Sequence, residues 1–111
     1  MDGCKNVTLS YNFITSIERY TAIDAHPSNI ASLNGIYIYG NIIKNMARGI
    51  VFSYCCHSHI ENNLIENTIY GIFLGGYNMN NNTVTKNIIR NCSDGIFVYF
   101  YENERNVITQ N

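Results

Sequence analysis

Charge, proline and long apolar runs are all scarce in this chain, and each absence removes a class of function. Charged residues make up 14% of the 111 residues and the net charge at pH 7 is −1, so the charge balance indicates neither a nucleic-acid nor a membrane-surface partner. No run of about 18 apolar residues exists, which excludes a transmembrane helix. The N-terminal residues hold no basic segment followed by an apolar one, so we expect no secretory signal peptide in the chain.

Asparagine and β-branched or aromatic residues are abundant instead, and they recur in a regular pattern. Asparagine accounts for 18 residues and proline for one. Three segments align without a gap at residues 38–50, 60–72 and 84–96, and each has asparagine three residues after its start and Gly-Ile at its close. A further copy begins at Ile108 and a weaker one at Leu9. An internal repeat of this length indicates a solenoid.

The alternation of side chains predicts how one repeat folds. If Ile50 points inward on a short strand, Val51 points outward and Phe52 inward. Three short strands per repeat cannot bury their apolar faces alone, but stacked repeats can, with each strand parallel to its equivalent about 4.8 Å away. The sequence therefore predicts an all-β fold, a right-handed parallel β-helix of about four to five coils with three short strands per coil. The expected inward columns are Ile38–Ile60–Val84–Ile108, Ile43–Ile65–Ile89 and Ile50–Ile72–Ile96.

Polar residues and glycine mark the expected corners. Two sets of asparagines hold fixed positions in the repeat, namely Asn12, Asn41, Asn63, Asn87 and Asn111, and Asn45, Asn67 and Asn91. Asparagine tolerates left-handed backbone and stacked amides can bond to each other, so both sets are predicted to turn the chain and to form ladders. The remaining bend is expected from Gly49, Gly71 and Gly95. A column of alternating charge supports the same alignment: Lys44, Glu66 and Arg90.

The repeat also predicts the domain organisation. We expect one β-helix domain, residues 1–111, with an insertion loop at residues 24–34. Both ends fall inside a repeat and neither shows a polar cap, which solenoids need to stay soluble. The expectation is therefore a fragment of a longer β-helix, or a chain that stacks on a flanking β-helix region or a partner chain.

The sharpest chemical signal lies where the repeat is interrupted. Aligning Ile23 with Ile50 places Asp24 and His26 on the outward face, two residues apart. A carboxylate beside an imidazole can orient the ring and tune it for proton abstraction, so the pair is a candidate catalytic site. The alternative is a solvent-exposed bend in which Asp24 bonds to the backbone.

Aromatic residues gather on or beside the same outward face, among them Phe73, Tyr77, Phe97 and Tyr99. Rows of aromatic rings on a flat sheet suit stacking against sugars, so these four are candidate substrate-binding residues. The alternative, equally weighted, is that they pack on each other between neighbouring coils.

Cysteine and histidine give a weaker signal for a metal. The cysteines show no zinc-ligand spacing: Cys4, Cys55, Cys56 and Cys92. Cys92 takes the repeat position of Met46 and Thr68, which favours a part-buried filler over a disulfide partner. His57 and His59, with Cys55 or Cys56, are weak candidates for a soft metal ion, and a loop at a coil corner is the alternative. No cofactor is indicated; Ca²⁺ is compatible with the chain, but no residue pattern requires it.

The repeat across residues 35–111 resembles that of right-handed parallel β-helix proteins: the pectate-lyase-like proteins, the β-helix accessory proteins of nitrous oxide reductase and the mannuronan C5-epimerases. The nearest resemblance is to the epimerases, whose Tyr-Gly-(Phe/Ile)-Asp-Pro-His-(Asp/Glu) motif is matched by Asp24 and His26. Ala25 and Pro27 replace the proline and the final acid of the motif, and Tyr54 stands where the family has arginine.

The resemblance implies a role for each candidate residue in the chemistry of uronates. His26 would remove the C5 proton and Asp24 would orient it. Tyr54 would donate a proton, with Tyr20 and Tyr37 as alternatives, and the sugar carboxylate would be neutralised by Arg48 or Arg19.

Two functions follow from these matches and departures. Because the family's arginine is missing, we expect a carbohydrate-associated or structural β-helix module that is non-catalytic. The alternative is a uronan C5-epimerase or polysaccharide lyase, and metal delivery is a more distant one. The class implies a polysaccharide or cell-surface glycan as partner and an extracellular or cell-surface location.

Overall fold

A computed structural model describes residues 5–27, 33–77, 79–101, 105–109 and 111, and for residues 100 and 101 it describes the backbone alone. The described residues form fourteen strands and no helix. In chain order the strands are β1 Lys5–Ser10, β2 Phe13–Thr15, β3 Thr21–Ala25, β4 Leu33–Tyr39, β5 Ile42–Lys44, β6 Arg48–Ser53, β7 Cys55–Cys56, β8 His59–Glu61, β9 Leu64–Glu66, β10 Tyr70–Tyr77, β11 Thr83–Thr85, β12 Ile88–Arg90, β13 Asp94–Tyr101 and β14 Val107–Thr109. Within these ranges, no helix is long and apolar enough to cross a membrane.

The strands form three parallel sheets. In sheet A the strand order is β1-β4-β8-β11-β14, and β7 also pairs with β4. The strand order is β2-β5-β9-β12 in sheet B and β3-β6-β10-β13 in sheet C. Each strand pairs with its equivalent in the next coil, and the chain visits the sheets in the order A, B, C. Four coils and the start of a fifth are therefore stacked in the part of the chain that the structure describes. The predicted parallel β-helix is confirmed, while its right-handed winding stays a prediction.

The predicted inward columns are those of the structure. Ile50 pairs with Ile72, and Ile72 with Ile96, in sheet C. The isoleucine column of sheet B and the Ile38 column of sheet A pair in the same alignment. The central members of these columns have no exposed surface: Ile38, Ile43, Ile50, Ile60, Ile65, Ile72 and Val84. The coils are thus held together by one continuous apolar core.

The first asparagine set forms a buried ladder along the solenoid. In each coil the backbone N–H and the side-chain Nδ2 of one asparagine both donate to Oδ1 of the next, over 2.9–3.2 Å. Asn41, Asn63 and Asn87 are at most 2% exposed. The second set forms an exposed ladder, in which Asn91 donates to Asn67 and Asn67 to Asn45. Both predicted ladders are present.

Ser58, Asn82 and Asn106 form a third ladder, immediately before the sheet A strands β8, β11 and β14, that the sequence did not reveal. Ser58 donates its backbone N–H to Oδ1 of Asn82 over 3.1 Å. Asn82 in turn donates its backbone N–H and Nδ2 to Oδ1 of Asn106. The spacing of 24 residues was the available signal, but serine in the first position and the surrounding run of asparagines obscured it.

The prediction that every ladder asparagine turns the backbone is wrong for the buried set. There the left-handed residue is the preceding one, at φ values of 55–67°: Tyr11, Gly40, Asn62 and Lys86. The buried asparagines instead direct their amides into the core. In the exposed set the prediction holds, because Asn45, Asn67 and Asn91 have φ of 53–60°.

The prediction that Gly49, Gly71 and Gly95 bend the chain is also wrong. None of the three has a positive φ. Gly49 and Gly71 instead allow close approach of coils, since a Cβ on Gly71 would lie 2.5 Å from the carbonyl oxygen of Gly95.

The charge column forms ion pairs as predicted. Arg90 Nε donates to Glu66 Oε1 over 2.7 Å, and Lys44 Nζ lies 3.5 Å from Glu66 Oε2. The hydrogen bond from Arg90 holds the pKa of the Glu66 carboxyl below its usual range, and Lys44 adds to the effect.

Connections between sheets differ in how much their length varies. Two residues link sheet A to sheet B in every coil, at 11–12, 40–41, 62–63 and 86–87. The link from sheet C back to sheet A, here called the third corner, ranges from Tyr54 alone to the seven residues 26–32. Most variation in coil length is therefore concentrated at the third corner. Of the expected insertion at 24–34, residues 24–25 belong to β3 and 33–34 to β4, and residues 28–32 lie outside the described residues.

Candidate functional site

Asp24 and His26 are brought together at the end of β3. Nδ1 of His26 and Oδ1 of Asp24 are 2.7 Å apart, and both side chains are about half exposed. Asp24 pairs in register with Val51, so it lies on the outward face of sheet C, while Ile23 and Ala25 fill the core. Such a contact can orient the imidazole for accepting a proton at Nε2.

The arginines lie at the opposite end of the same sheet. Arg48 begins β6 and pairs in register with Thr21, five residues before His26. At about 3.3 Å per strand residue, that separation is roughly 16 Å along the strand. Arg19 precedes β3 and donates from Nη2 to the carbonyl oxygen of Asn67 over 3.1 Å. The structure therefore joins the carboxylate to the imidazole, while among the described residues neither arginine forms an ion pair with Asp24.

The three tyrosine candidates lie in three different places. Tyr54 follows β6 at the third corner, with its ring centroid 6.4 Å from that of Tyr77. Tyr37 lies on sheet A, stacked on His59 at 5.0 Å. Tyr20 donates its phenol proton to Glu18 over 2.5 Å, and this bond raises the pKa of Tyr20. By its position at the same end of sheet C, Tyr54 is the one of these nearest in register to His26.

The aromatic candidates differ in how far neighbouring side chains cover them. Phe73 stacks on Phe97 with centroids 5.2 Å apart, and the Arg48 guanidinium lies 5.9 Å from the Phe73 centroid on the preceding coil. Both faces of Phe73 are thus covered, as the alternative of rings packing on each other between neighbouring coils predicted. Tyr77 and Tyr99 are 47% and 54% exposed, and Phe97 on the last described coil is 36% exposed. These three form what we call the aromatic face.

A cleft at the corner between sheets B and C gathers residues from three successive coils. This corner cleft has a volume of about 320 Å³, and its lining includes Arg19, Tyr20, Thr21, Arg48, Ile69 and Tyr70. The ring of Tyr70 also contacts Phe73 and Phe97 edge-on, at 6.1 and 5.5 Å. The cleft and the aromatic face are therefore continuous. Register could have revealed this, since Thr21, Arg48 and Tyr70 pair across coils.

The weak metal candidates do not converge. Cys55 is fully buried, its Sγ contacts the carbonyl oxygens of Ala25 and Ser53, and burial raises its pKa to about 12. His59 stacks on Tyr37, whereas His57 occupies a left-handed corner position. Throughout the described ranges, no three His, Cys, Asp or Glu side chains are grouped so that they could hold a metal ion. Cys4 lies outside the described residues, and Cys92 is half-buried against Thr68 rather than bonded in a disulfide.

Comparison with known proteins identifies a family. The chain matches no curated protein and no solved structure. One family profile, described as periplasmic copper-binding protein (NosD), matches residues 1–111. Because the match spans the entire sequence, and because the fold is the parallel β-helix that the repeat predicted, the chain belongs to the NosD family.

Proposed function

We propose that the chain is a non-catalytic β-helix module that binds a glycan along the aromatic face. The observation that carries this proposal is the set of exposed rings on the neighbouring strands β10 and β13, namely Tyr77, Phe97 and Tyr99. Sugar rings bind by stacking on such surfaces, with few polar groups needed to fix their orientation. Phe73 stacks on Phe97 and so restrains the orientation of that ring.

The proposal that the module is non-catalytic rests on the distances around His26. Acid–base chemistry at C5 of a uronate needs a cation at the sugar carboxylate, to stabilise the charge that develops as the proton leaves. Arg48 is engaged over the Phe73 ring and Arg19 at the Asn67 carbonyl, and among the described residues neither forms an ion pair with Asp24. Neither Arg19 nor Arg48 is therefore paired with the Asp24–His26 site as the reaction would require.

Tyr99→Ala is expected to weaken glycan binding by about tenfold, the effect of losing a stacking aromatic contact. Binding would first be detected on a glycan array and then measured by isothermal titration calorimetry. The control is Phe13→Ala, which removes an exposed ring from sheet B and should leave affinity unchanged. Equal losses in both variants, or no glycan binding by the wild-type chain, would contradict the proposal.

A uronan C5-epimerase or lyase is the second candidate, favoured by the 2.7 Å contact between His26 and Asp24. It is tested by incubating the chain with a panel of uronans, using ultraviolet absorbance for unsaturated uronate and NMR for the mannuronate to guluronate ratio. Turnover that disappears in His26→Ala would replace our proposal with this one. We expect no turnover by the wild-type chain.

The family description concerns copper, and the residues that the structure describes do not form a group that fits that ion. Copper sites use thiolate, thioether or imidazole ligands from several positions. Here the Cys55 thiol is buried and holds its proton, while Met79 Sδ accepts the backbone N–H of Cys55 over 3.1 Å. No step in our proposal uses copper. The periplasmic location in the same description supports an exported protein, which agrees with a glycan partner.

A further inference from the structure

The outward face of sheet B carries an apolar column beside a polar one. Each strand of this sheet has three residues, and the middle one points into the core while the outer two point outward. The first outward residues pair from coil to coil as the apolar column, which consists of Phe13, Ile42, Leu64 and Ile88. The second outward residues form the polar column, which consists of Thr15, Lys44, Glu66 and Arg90. We call the two columns together the sheet B face.

Much of the apolar column is open to solvent. Phe13 is 65% exposed, Ile88 58% and Ile42 37%. Apolar side chains scattered singly on a surface need no partner, but a continuous row on adjacent strands is typical of an interface. Parallel pairing and the buried asparagine ladder beside the strands fix their spacing. The row is therefore presented as a rigid strip.

The apolar column is complementary to itself when a second copy of the chain lies on it with the solenoid axis reversed. A twofold axis parallel to the strands, passing between β5 and β9, places Ile42 against Leu64 of the second copy. The same axis places Phe13 against Ile88 of the second copy. Sheets that pack face to face lie about 10 Å apart with nearly aligned strands, as this arrangement requires. The two apolar columns then cover each other over four coils.

The polar column is complementary in the same arrangement. Lys44 faces Glu66 of the second copy, Glu66 faces Lys44, and Arg90 faces the neutral Thr15. Within one copy Lys44 Nζ already lies 3.5 Å from Glu66 Oε2. Two lysines and two glutamates would therefore form a ring of alternating charge across the twofold axis. Opposite charges placed across an interface fix its register and exclude other arrangements.

Neighbouring arrangements bring like charges together. A twofold axis moved onto β5 places Lys44 against its own equivalent. An axis moved onto β9 does the same for Glu66 and also places Lys44 against Arg90. An axis along the solenoid reverses the strands, so that fully overlapping faces would lay each apolar column on a polar one. The arrangement centred between β5 and β9 avoids all of these contacts.

We propose that two copies of the chain form an antiparallel dimer through the sheet B face, about that twofold axis. Such an interface is isologous, so each contact occurs twice. Because each copy contributes only the two columns, the interface is small, and we expect a dissociation constant on the order of 0.1 mM. Sheets A and C stay accessible in the dimer. The inference is therefore independent of the proposed glycan binding on the aromatic face.

Sedimentation equilibrium from about 10 µM to about 1 mM protein would measure the dimer. Ile88→Asp is expected to weaken dimerisation at least about hundredfold, because each of two carboxylates would be buried against Phe13 without a partner. Val107→Asp is the matched control, since Val107 is 49% exposed on the outward face of sheet A and should leave the dimer unchanged. A monomeric wild-type chain, or equal effects of both variants, would overturn the proposal.

Exchange of charge tests the antiparallel register. K44E alone and E66K alone each place like charges across the interface, so each variant should be monomeric where the wild-type chain is dimeric. An equimolar mixture of the two restores opposite charges at both central contacts and should form a heterodimer. A mixture that stays monomeric, or variants that dimerise alone as well as the wild-type chain does, would overturn this register. Thermal melts by circular dichroism would confirm that each variant is folded, and assemblies larger than a dimer would exclude twofold closure.

Discussion

Asn63→Ala is expected to lower the free energy of unfolding by about 4 kcal/mol, because one side chain serves three coils. Its Oδ1 accepts both the backbone N–H and Nδ2 of Asn41, each over 3.0 Å. Its Nδ2 donates to the carbonyl oxygens of Ile38 and Glu61 and to Oδ1 of Asn87, over 2.9–3.2 Å. All these groups lie in or beside the core, where an unpaired donor or acceptor costs about 1–3 kcal/mol. Urea denaturation followed by far-ultraviolet circular dichroism would measure the loss.

Asn67→Gly is the matched control for that experiment. Asn67 belongs to the same coil and to the exposed ladder, and glycine keeps its φ of 55° accessible. Water can replace the lost amide bonds there, so we expect a loss of less than about 1 kcal/mol. If the two variants were destabilised equally, burial of the first ladder would not be the source of its contribution.

Gly71→Ala is expected to destabilise the chain by about 3 kcal/mol, the upper part of the range for overpacking a core. A Cβ at Gly71 would lie 2.5 Å from the carbonyl oxygen of Gly95 and 2.6 Å from Cγ2 of Ile89. The first of these atoms is backbone in a paired strand, so it cannot move without separating β10 from β13. The added methyl group would force apart the third and fourth coils.

Gly95→Ala tests the same substitution where the space is open. A Cβ there would meet Cγ2 of Ile89 at 3.9 Å, an ordinary van der Waals distance. We therefore expect a change within about 0.5 kcal/mol, because alanine also restricts the unfolded chain. The midpoints of urea unfolding for Gly71→Ala and Gly95→Ala would test whether the open space at Gly95 makes the difference. A large loss in Gly95→Ala would mean that backbone conformation, rather than space, selects glycine at this position.

Much of the fold followed from periodicity, because each strand position had an equivalent in the next coil. The pairing of Ile50 with Ile72 was predicted from sequence alignment alone and is the pairing observed. The corners were less predictable. Asparagine can turn the backbone or bond through its amide, and the sequence does not distinguish these uses. Only the coordinates show that Asn62 turns the chain while Asn63 bonds in the core.

Within the candidate site, only contacts between residues of one strand could be predicted from the sequence. Asp24 and His26 lie two residues apart, so strand alternation placed them together, as observed. Side chains on different coils depend on rotamers and on corner geometry, which carry no sequence period. For that reason the contact of Arg48 with Phe73 was not predicted.

Because the corners differ in length from coil to coil, they also differ in whether they can accept inserted residues. The buried ladder fixes the two-residue links between sheets A and B, so an insertion there would break hydrogen bonds across neighbouring coils. The third corner already accommodates between one and seven residues. New segments can be added there, ahead of Asn82 and its ladder, by evolution or by grafting without altering the stack. Such segments would begin beside Tyr54 and Tyr77, so each inserted loop would be displayed at the border of the aromatic face.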